Sequence, residues 1–188
     1  MATEYRPTRR DRMRIRHFRD VLVRLRELAA PEGARILDLG GGTGAPASVF
    51  GAGAREIVVI EPNERKISNG RAAGAPVTFV SGVAESLPYG PGQFDRVVSL
   101  MSFHHFSNAD AALREAARVL APGGRFVLYD FDRSNWRARL FAFFEETFRR
   151  HPGRFAKPGE LEQRFVAAGF VHVRREPFRA GAFVLGDR

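Results

Sequence analysis

The stretch Ile36-Leu37-Asp38-Leu39-Gly40-Gly41-Gly42-Thr43-Gly44 constrains this chain more than any other. A short apolar run meets four glycines in five positions, which reads as a buried strand ending in a tight turn. Glycine adopts backbone conformations closed to other residues and lets a ligand approach the main chain. A helix is expected after the loop, and its N-terminus would offer free N–H groups to a carboxylate or phosphate. A loop of this kind belongs to a sheet in which strands and helices alternate.

Hydrophobic periodicity extends that expectation. From about Asp11 to Ala30, the positions Ile15, Phe18, Val21, Leu22, Leu25 and Leu28 recur as on one face of a helix, closed by Pro31 and Gly33. Apolar runs at Arg35–Leu39, Glu56–Ile60, Val77–Val80, Phe94–Leu100 and Gly124–Tyr129 read as five strands. Helices are predicted from Pro62 to about Asn69, and from Asn108 as N-cap to Leu120; Pro122-Gly123-Gly124 reads as a turn. Beyond Asp130 the rhythm changes. An aromatic-rich helix is predicted over 134–150, another over Lys157–Ala168, and strands at Phe170–Glu176 and Ala182–Leu185. The gap between those last strands is too short for a crossover helix, so they should pair antiparallel. The expected fold class is α/β: a doubly wound, seven-stranded, mostly parallel sheet with a C-terminal antiparallel hairpin.

Composition narrows the function. Cysteine is absent, which removes disulfides, thiolate metal sites and cysteine nucleophiles; no other metal-ligand spacing appears, so no metal site is expected. No apolar run approaches the roughly 20 residues that cross a bilayer. The N-terminal MATEYRPTRRDRMRIR has no apolar core behind its charges to make a secretory signal, so a cytoplasmic protein is expected. The length of 188 residues suits a single domain over 1–188. The net charge is +9, and residues 1–30 hold nine arginines against four acids. That basic helix could meet a phosphate, a nucleic acid or an anionic membrane, or be a solvated face.

Two carboxylates give the loop its chemistry. Asp38 ends the first strand and Glu61 follows the second, just before Pro62. Neighbouring parallel strands bring their C-terminal ends together, so both should line one crevice. A carboxylate at the second position can accept two hydrogen bonds from a ribose diol. Gly40, Gly42 and Ala45 also fit the GxGxxA variant of the dinucleotide fingerprint. An acid at Asp38 would repel a pyrophosphate, whereas it suits a nucleoside with a cationic, amino-acid-like tail.

At these residues the chain resembles the class I S-adenosylmethionine-dependent methyltransferases, with a Rossmann-like fold. Ile36–Gly44 resembles the first family motif, Val58–Asn63 the second strand with its acid, Ser81–Phe106 the adenine loop and fourth strand, and Arg118–Phe131 the helix, turn and fifth strand. The motif set is similar to the small-molecule and ubiquinone/menaquinone-type branch. The resemblance implies S-adenosyl-L-methionine as cofactor. It places Gly40, Gly42 and Gly44 against the methionine part, and Asp38 and the Leu100 carbonyl near its amino group. Glu61, with Pro62 beside it, would hold the ribose, and Val83, Ala84 and Glu85 would lie at the adenine. Relatives often carry Asp at the position of Val83, which cannot accept from the adenine amino group.

Candidate bases for the acceptor follow the fourth and fifth strands: His104 and His105, with Ser102, and then Asp130 and Asp132. Met101-Ser102-Phe103-His104 stands where amino-directed DNA methyltransferases carry Asn-Pro-Pro-aromatic. The segment 131–157 is either a substrate lid for an apolar or aromatic acceptor or a core-closing helix. The leading expectation is methyl transfer to a small molecule, aromatic or quinone-like; the alternative is RNA or protein methylation through the basic helix, with peripheral contact to an anionic membrane also open. Oligomeric state is not legible.

Overall fold

The computed structural model describes residues 5–131 and 159–188. Two helices come first, α1 (Arg9–His17) and α2 (Arg19–Ala29). The single helix expected over Asp11–Ala30 is therefore broken, at Phe18, whose φ of −98° and ψ of 15° leave helical geometry. Only α2 has a full apolar stripe: Val21, Leu22, Leu25 and Leu28 are buried, whereas the one fully buried residue of α1 is Asp11. Core burial fixes α2, and α1 is free to take another direction.

The strands are β1 (Arg35–Leu39), β2 (Glu56–Glu61), β3 (Thr78–Ser81), β4 (Phe94–Leu100), β5 (Leu120–Phe131), β6 (Val171–Phe178) and β7 (Gly181–Asp187). They form one seven-stranded sheet in the order β3-β2-β1-β4-β5-β7-β6. The first five are parallel; β7 lies antiparallel between β5 and β6. This is the expected doubly wound sheet with its terminal hairpin. The turn at Pro122-Gly123-Gly124 is real, but it sits within β5. Leu120 faces Phe94 and Arg125 faces Arg96, so residues 121–124 loop out of the ladder.

Strand alternation divides the core between two faces. Leu37, Leu39, Val58, Ile60, Phe126 and Leu128 point to the face closed by α4 (Ala109–Val119) and α5 (Glu160–Ala167). Ile36, Ile57, Val59, Val98, Val127 and Tyr129 point to the face closed by α2. Burial on both faces explains why these strands read as continuous apolar runs. Helix α3 (Glu64–Ala72) starts later than predicted because Asn63, not Pro62, caps it, its side chain accepting from Arg65 and Lys66 N–H.

One expectation fails beside the glycine loop. No α-helix follows it; Ala47–Gly53 is a 3-10 segment, interrupted at Gly51, where φ is 49° and ψ −146°. Pro46, Gly51 and Gly53 lie in or next to this short stretch and leave it no uninterrupted helical run. The predicted helix over 134–150 and the lid within 131–157 lie outside the described residues, apart from Phe131 at the end of β5.

The α5 face provides a check on the packing. Phe165 is fully buried, its ring centroid 5.2 Å from Phe126 and 5.0 Å from Phe170. Phe165→Ala is expected to lower unfolding stability by about 3–5 kcal/mol, the range for a buried aromatic truncated to alanine, as read from chemical denaturation.

Candidate active site

The sheet order places the site. Connections run from β1 outward through β2 and β3 on one side, and from β4 to β5 on the other. The C-terminal ends of β1 and β4 therefore flank the topological switch point, where open α/β sheets bind ligands. The Gly40–Gly44 loop lies there.

Asp38 and Glu61 meet at this point. Asp38 has the parity of Ile36, and Glu61 that of Ile57 and Val59, so both face the α2 side of the sheet. Asp38 is 3% exposed and Glu61 2%. Asp38 Oδ1 finds no hydrogen-bond partner among the described residues. Burial pushes the Asp38 carboxyl up from its ordinary 3.8 to about 7, the neighbouring Glu61 charge pushes the same way, and the Arg14 guanidinium opposes both. A buried acid with an unpartnered oxygen fits a cationic ligand group.

Glu61 has more partners. Its carboxylate accepts from Gly42 N–H at 3.1 Å, from Asn63 N–H at 3.1 Å and from Lys66 Nζ at 3.3 Å. It thereby holds the glycine loop against β2. Pro62, next to it, is exposed. The three glycines of the first motif differ in their surroundings. A Cβ on Gly40 would meet Ser102 Cβ at 2.6 Å, and one on Gly44 would meet Val77 Cγ2 at 2.8 Å, so both are required by packing. A Cβ on Gly42 would have only Arg14 Nη1 at 3.8 Å and Lys66 Cδ at 3.9 Å near it. Of the three, Gly42 is the position at which the loop has space beside it.

The second strand pair carries the histidines. β4 ends in Leu100, and Met101 follows with φ 53°, a left-handed conformation that non-glycine residues seldom adopt. The Ser102 hydroxyl lies 2.9 Å from the Gly40 carbonyl and 3.0 Å from that of Leu100, so it ties the β4 loop to the glycine loop. The one hydroxyl proton is shared between these two carbonyls, so the Leu100 carbonyl keeps capacity to accept from a ligand. His104 is buried, and its Nδ1 lies 2.7 Å from Asp130 Oδ1 at the end of β5; its backbone N–H donates to Asp130 Oδ2 at 3.0 Å. With Asp130 ionised, this contact assigns the Nδ1 proton to the shared bond and leaves Nε2 as the basic nitrogen. His105 is exposed, its ring centroid 3.9 Å from that of His104. Asp132 lies outside the described residues.

The loop expected at the adenine follows β3. Ala84 is buried in the core, and Val83 is 45% exposed. One Glu85 carboxylate oxygen accepts from Ser107 N–H at 2.7 Å, Ser107 Oγ at 2.8 Å and Asn108 N–H at 3.1 Å, fastening the segment before α4. Burial alone would raise its pKa, but these donors outweigh it and hold the carboxyl below the ordinary range. The same loop is pinned from α4, where Glu115 accepts from Leu87 N–H at 2.7 Å and Arg118 donates to the Tyr89 carbonyl at 2.6 Å.

Sequence reasoning missed the part played by α1. Thr8 caps this helix, its hydroxyl accepting from Asp11 N–H while the Asp11 carboxylate accepts from Thr8. The other Asp11 oxygen accepts from Thr43 Oγ1 at 2.8 Å. Helix α1 is thus docked on the glycine loop. Thr8 and Asp11 three residues apart gave a local signal for the cap, but nothing local pointed to Thr43. Among the described residues, no group of three His, Cys, Asp or Glu is placed to hold a metal ion. No described helix is long and apolar enough to cross a membrane.

Comparison with known proteins supplies the family. The methyltransferase domain family matches residues 37–128. A ubiquinone/menaquinone biosynthesis C-methyltransferase from Methylobacterium nodulans is 31% identical over 175 residues, covering 78% of this chain and 69% of the relative. The chain belongs to the class I S-adenosylmethionine-dependent methyltransferases. A 27-O-demethylrifamycin SV methyltransferase from Amycolatopsis mediterranei is 41% identical over 107 residues, 53% of this chain and 39% of its own length. The S-adenosylmethionine-dependent methyltransferase structure from Mesorhizobium loti superposes with a TM-score of 0.75 at 18% identity, covering 88% of this chain and 96% of that one, and supports the fold. The chain spans about half the length of several curated relatives it matches.

The Asp38 environment predicts a pH dependence. Below about 7 the carboxyl holds a proton, and an ammonium ligand at Asp38 would need the ionised form, so its binding would release that proton. Affinity for S-adenosylhomocysteine is expected to rise by up to about tenfold per pH unit as the pH climbs towards the Asp38 value, and to level above it. Asp38→Asn should flatten that rise in calorimetric titrations.

Proposed function

We propose that this chain transfers a methyl group from S-adenosyl-L-methionine to a small-molecule acceptor, aromatic or quinone-like. The observation that carries this reading is the pair of buried carboxylates at adjacent strand tips beside the glycine loop. In it, Asp38 receives the ammonium of the amino-acid tail, and Gly42 lets that tail approach the main chain. Glu61 receives the ribose hydroxyls on its remaining lone pairs. The segment around Val83 and Ala84 borders the base, with Glu85 holding that segment in place rather than touching the ring. The cofactor supplies a methyl group already activated on a sulfonium. The protein's own task is to align the acceptor and exclude water.

His104 is the proton acceptor in this proposal, and Asp130 sets its tautomer and orientation. Such a base serves an acceptor hydroxyl, or a quinol carbon made nucleophilic by loss of its hydroxyl proton. The names of the relatives, quinone-pathway and rifamycin methyltransferases, support a small-molecule acceptor. His105 is the second candidate, more exposed and with its ring tilted against the first. A second reading has its own observation: Arg9, Arg10, Arg12, Arg16 and Arg19 are exposed and leave a basic surface for an anionic polymer or membrane. Binding of a generic RNA that weakens steeply with salt would favour it.

Two measurements test the proposal. Glu61→Gln is expected to weaken S-adenosylhomocysteine binding by about 10- to 100-fold, the loss of charge-assisted hydrogen bonds. With a panel of hydroquinone and phenol acceptors and labelled cofactor, His104→Gln should lower kcat by about 10²–10⁴-fold and leave cofactor affinity unchanged. Full activity in that variant would remove His104 from the reaction.

A further inference from the structure

An amino-acid tail carries an anion as well as a cation, and the crevice needs a receptor for each. Asp38 suits the cation. The usual receptor for the anion would be the loop N–H groups backed by a helix N-terminus, but this chain provides that receptor only in part. The loop leads into an interrupted 3-10 segment, not an α-helix. Three of its N–H groups are already committed: Gly40 to the Ile60 carbonyl at 2.8 Å, Gly42 to Glu61 at 3.1 Å and Gly44 to the Gly41 carbonyl at 3.1 Å. The Thr43 hydroxyl is committed to Asp11.

A charge is nevertheless present at the right place. Docking of α1 through the buried Asp11 sets Arg14, one turn further along, beside the one loop glycine with open space. Its Nη1 lies 3.8 Å from where a Gly42 Cβ would stand. The guanidinium makes no ion pair among the described residues, yet its charge acts on Asp38. Guanidinium offers a planar fork of donors that matches a carboxylate.

Building on the cofactor reading above, we propose that Arg14 binds the α-carboxylate of the cofactor's amino-acid tail, while Asp38 binds its ammonium. Helix α1 is then part of the cofactor site, and the basic N-terminal segment has one arginine with a specific ligand. Lys66 lies at the ribose end, against Glu61, and takes no part in reading the tail.

The test compares three ligands by calorimetry on the full chain: S-adenosylhomocysteine, its decarboxylated analogue bearing a 3-aminopropylthio group, and 5′-methylthioadenosine, which lacks the tail. Arg14→Gln is expected to weaken S-adenosylhomocysteine by about 10- to 100-fold and to leave both other ligands unchanged. Arg14→Lys should recover part of the loss. Lys66→Met should change all three ligands alike. Unchanged S-adenosylhomocysteine affinity in Arg14→Gln, or an equal loss on the decarboxylated analogue, would overturn the proposal while leaving the cofactor reading in place. Failure of the unmodified chain to bind any of the three would overturn that reading, and this proposal with it.

Discussion

Two carboxylates held out of water beside each other are the constraint on which the rest of this site depends. Neither is cheap to bury. An ionised acid in a low-dielectric environment loses most of its hydration, and a like charge nearby raises the cost. The chain offsets that cost in two different ways. Glu61 gains backbone donors and Lys66, whereas Asp38 keeps an unpartnered oxygen and a raised proton affinity. A fold that tolerates one incompletely satisfied acid at its topological switch point holds it in a state that a cationic ligand relieves. That is how binding energy can be stored in a resting protein.

The surrounding architecture keeps this arrangement fixed. Parallel pairing of Asp38 with Val59, and of Glu61 with Ser81, sets the two tips in register. Packing of Gly40 against Ser102 and of Gly44 against Val77 and Phe79 leaves the loop little room to shift. On the acceptor side the left-handed Met101 turns the chain sharply out of β4, and the Asp130 carboxylate then catches both the backbone and the ring of His104. Backbone strain at that turn coincides with the residues proposed for proton transfer, as strain at functional sites commonly does.

What the sequence made legible was what depends on neighbours along the chain. Strands buried on both faces, β1, β2, β4, β5 and β7, wrote themselves as continuous apolar runs, and the edge strands β3 and β6 were legible from short β-branched and aromatic runs beside turn residues. Asp38 and Glu61 could be placed because each stands at the end of such a run. The misses share a cause. The break at Phe18 interrupts a stripe that periodicity reads as unbroken, and the docking of Asp11 on Thr43 follows from that break. The pairing of His104 with Asp130 depends on β4 lying beside β5. The hold of Glu85 on Ser107 and Asn108 was not legible, because only the fold brings those residues near it. The glycine loop predicted a helix by analogy with other loops, but Pro46, Gly51 and Gly53 outweighed it.

The break at Phe18 also separates two kinds of attachment. Helix α2 is held by apolar side chains sunk in the core, an adhesion that salt hardly disturbs and moderate warming preserves. Helix α1 is held by a smaller apolar contact, the half-buried Ile15 against the core, together with Asp11 on the Thr43 hydroxyl and long-range charge. Ionic strength screens the charge part of that attachment. The two helices at the head of the chain therefore answer to different solution conditions, one to whatever weakens apolar burial and the other in part to salt.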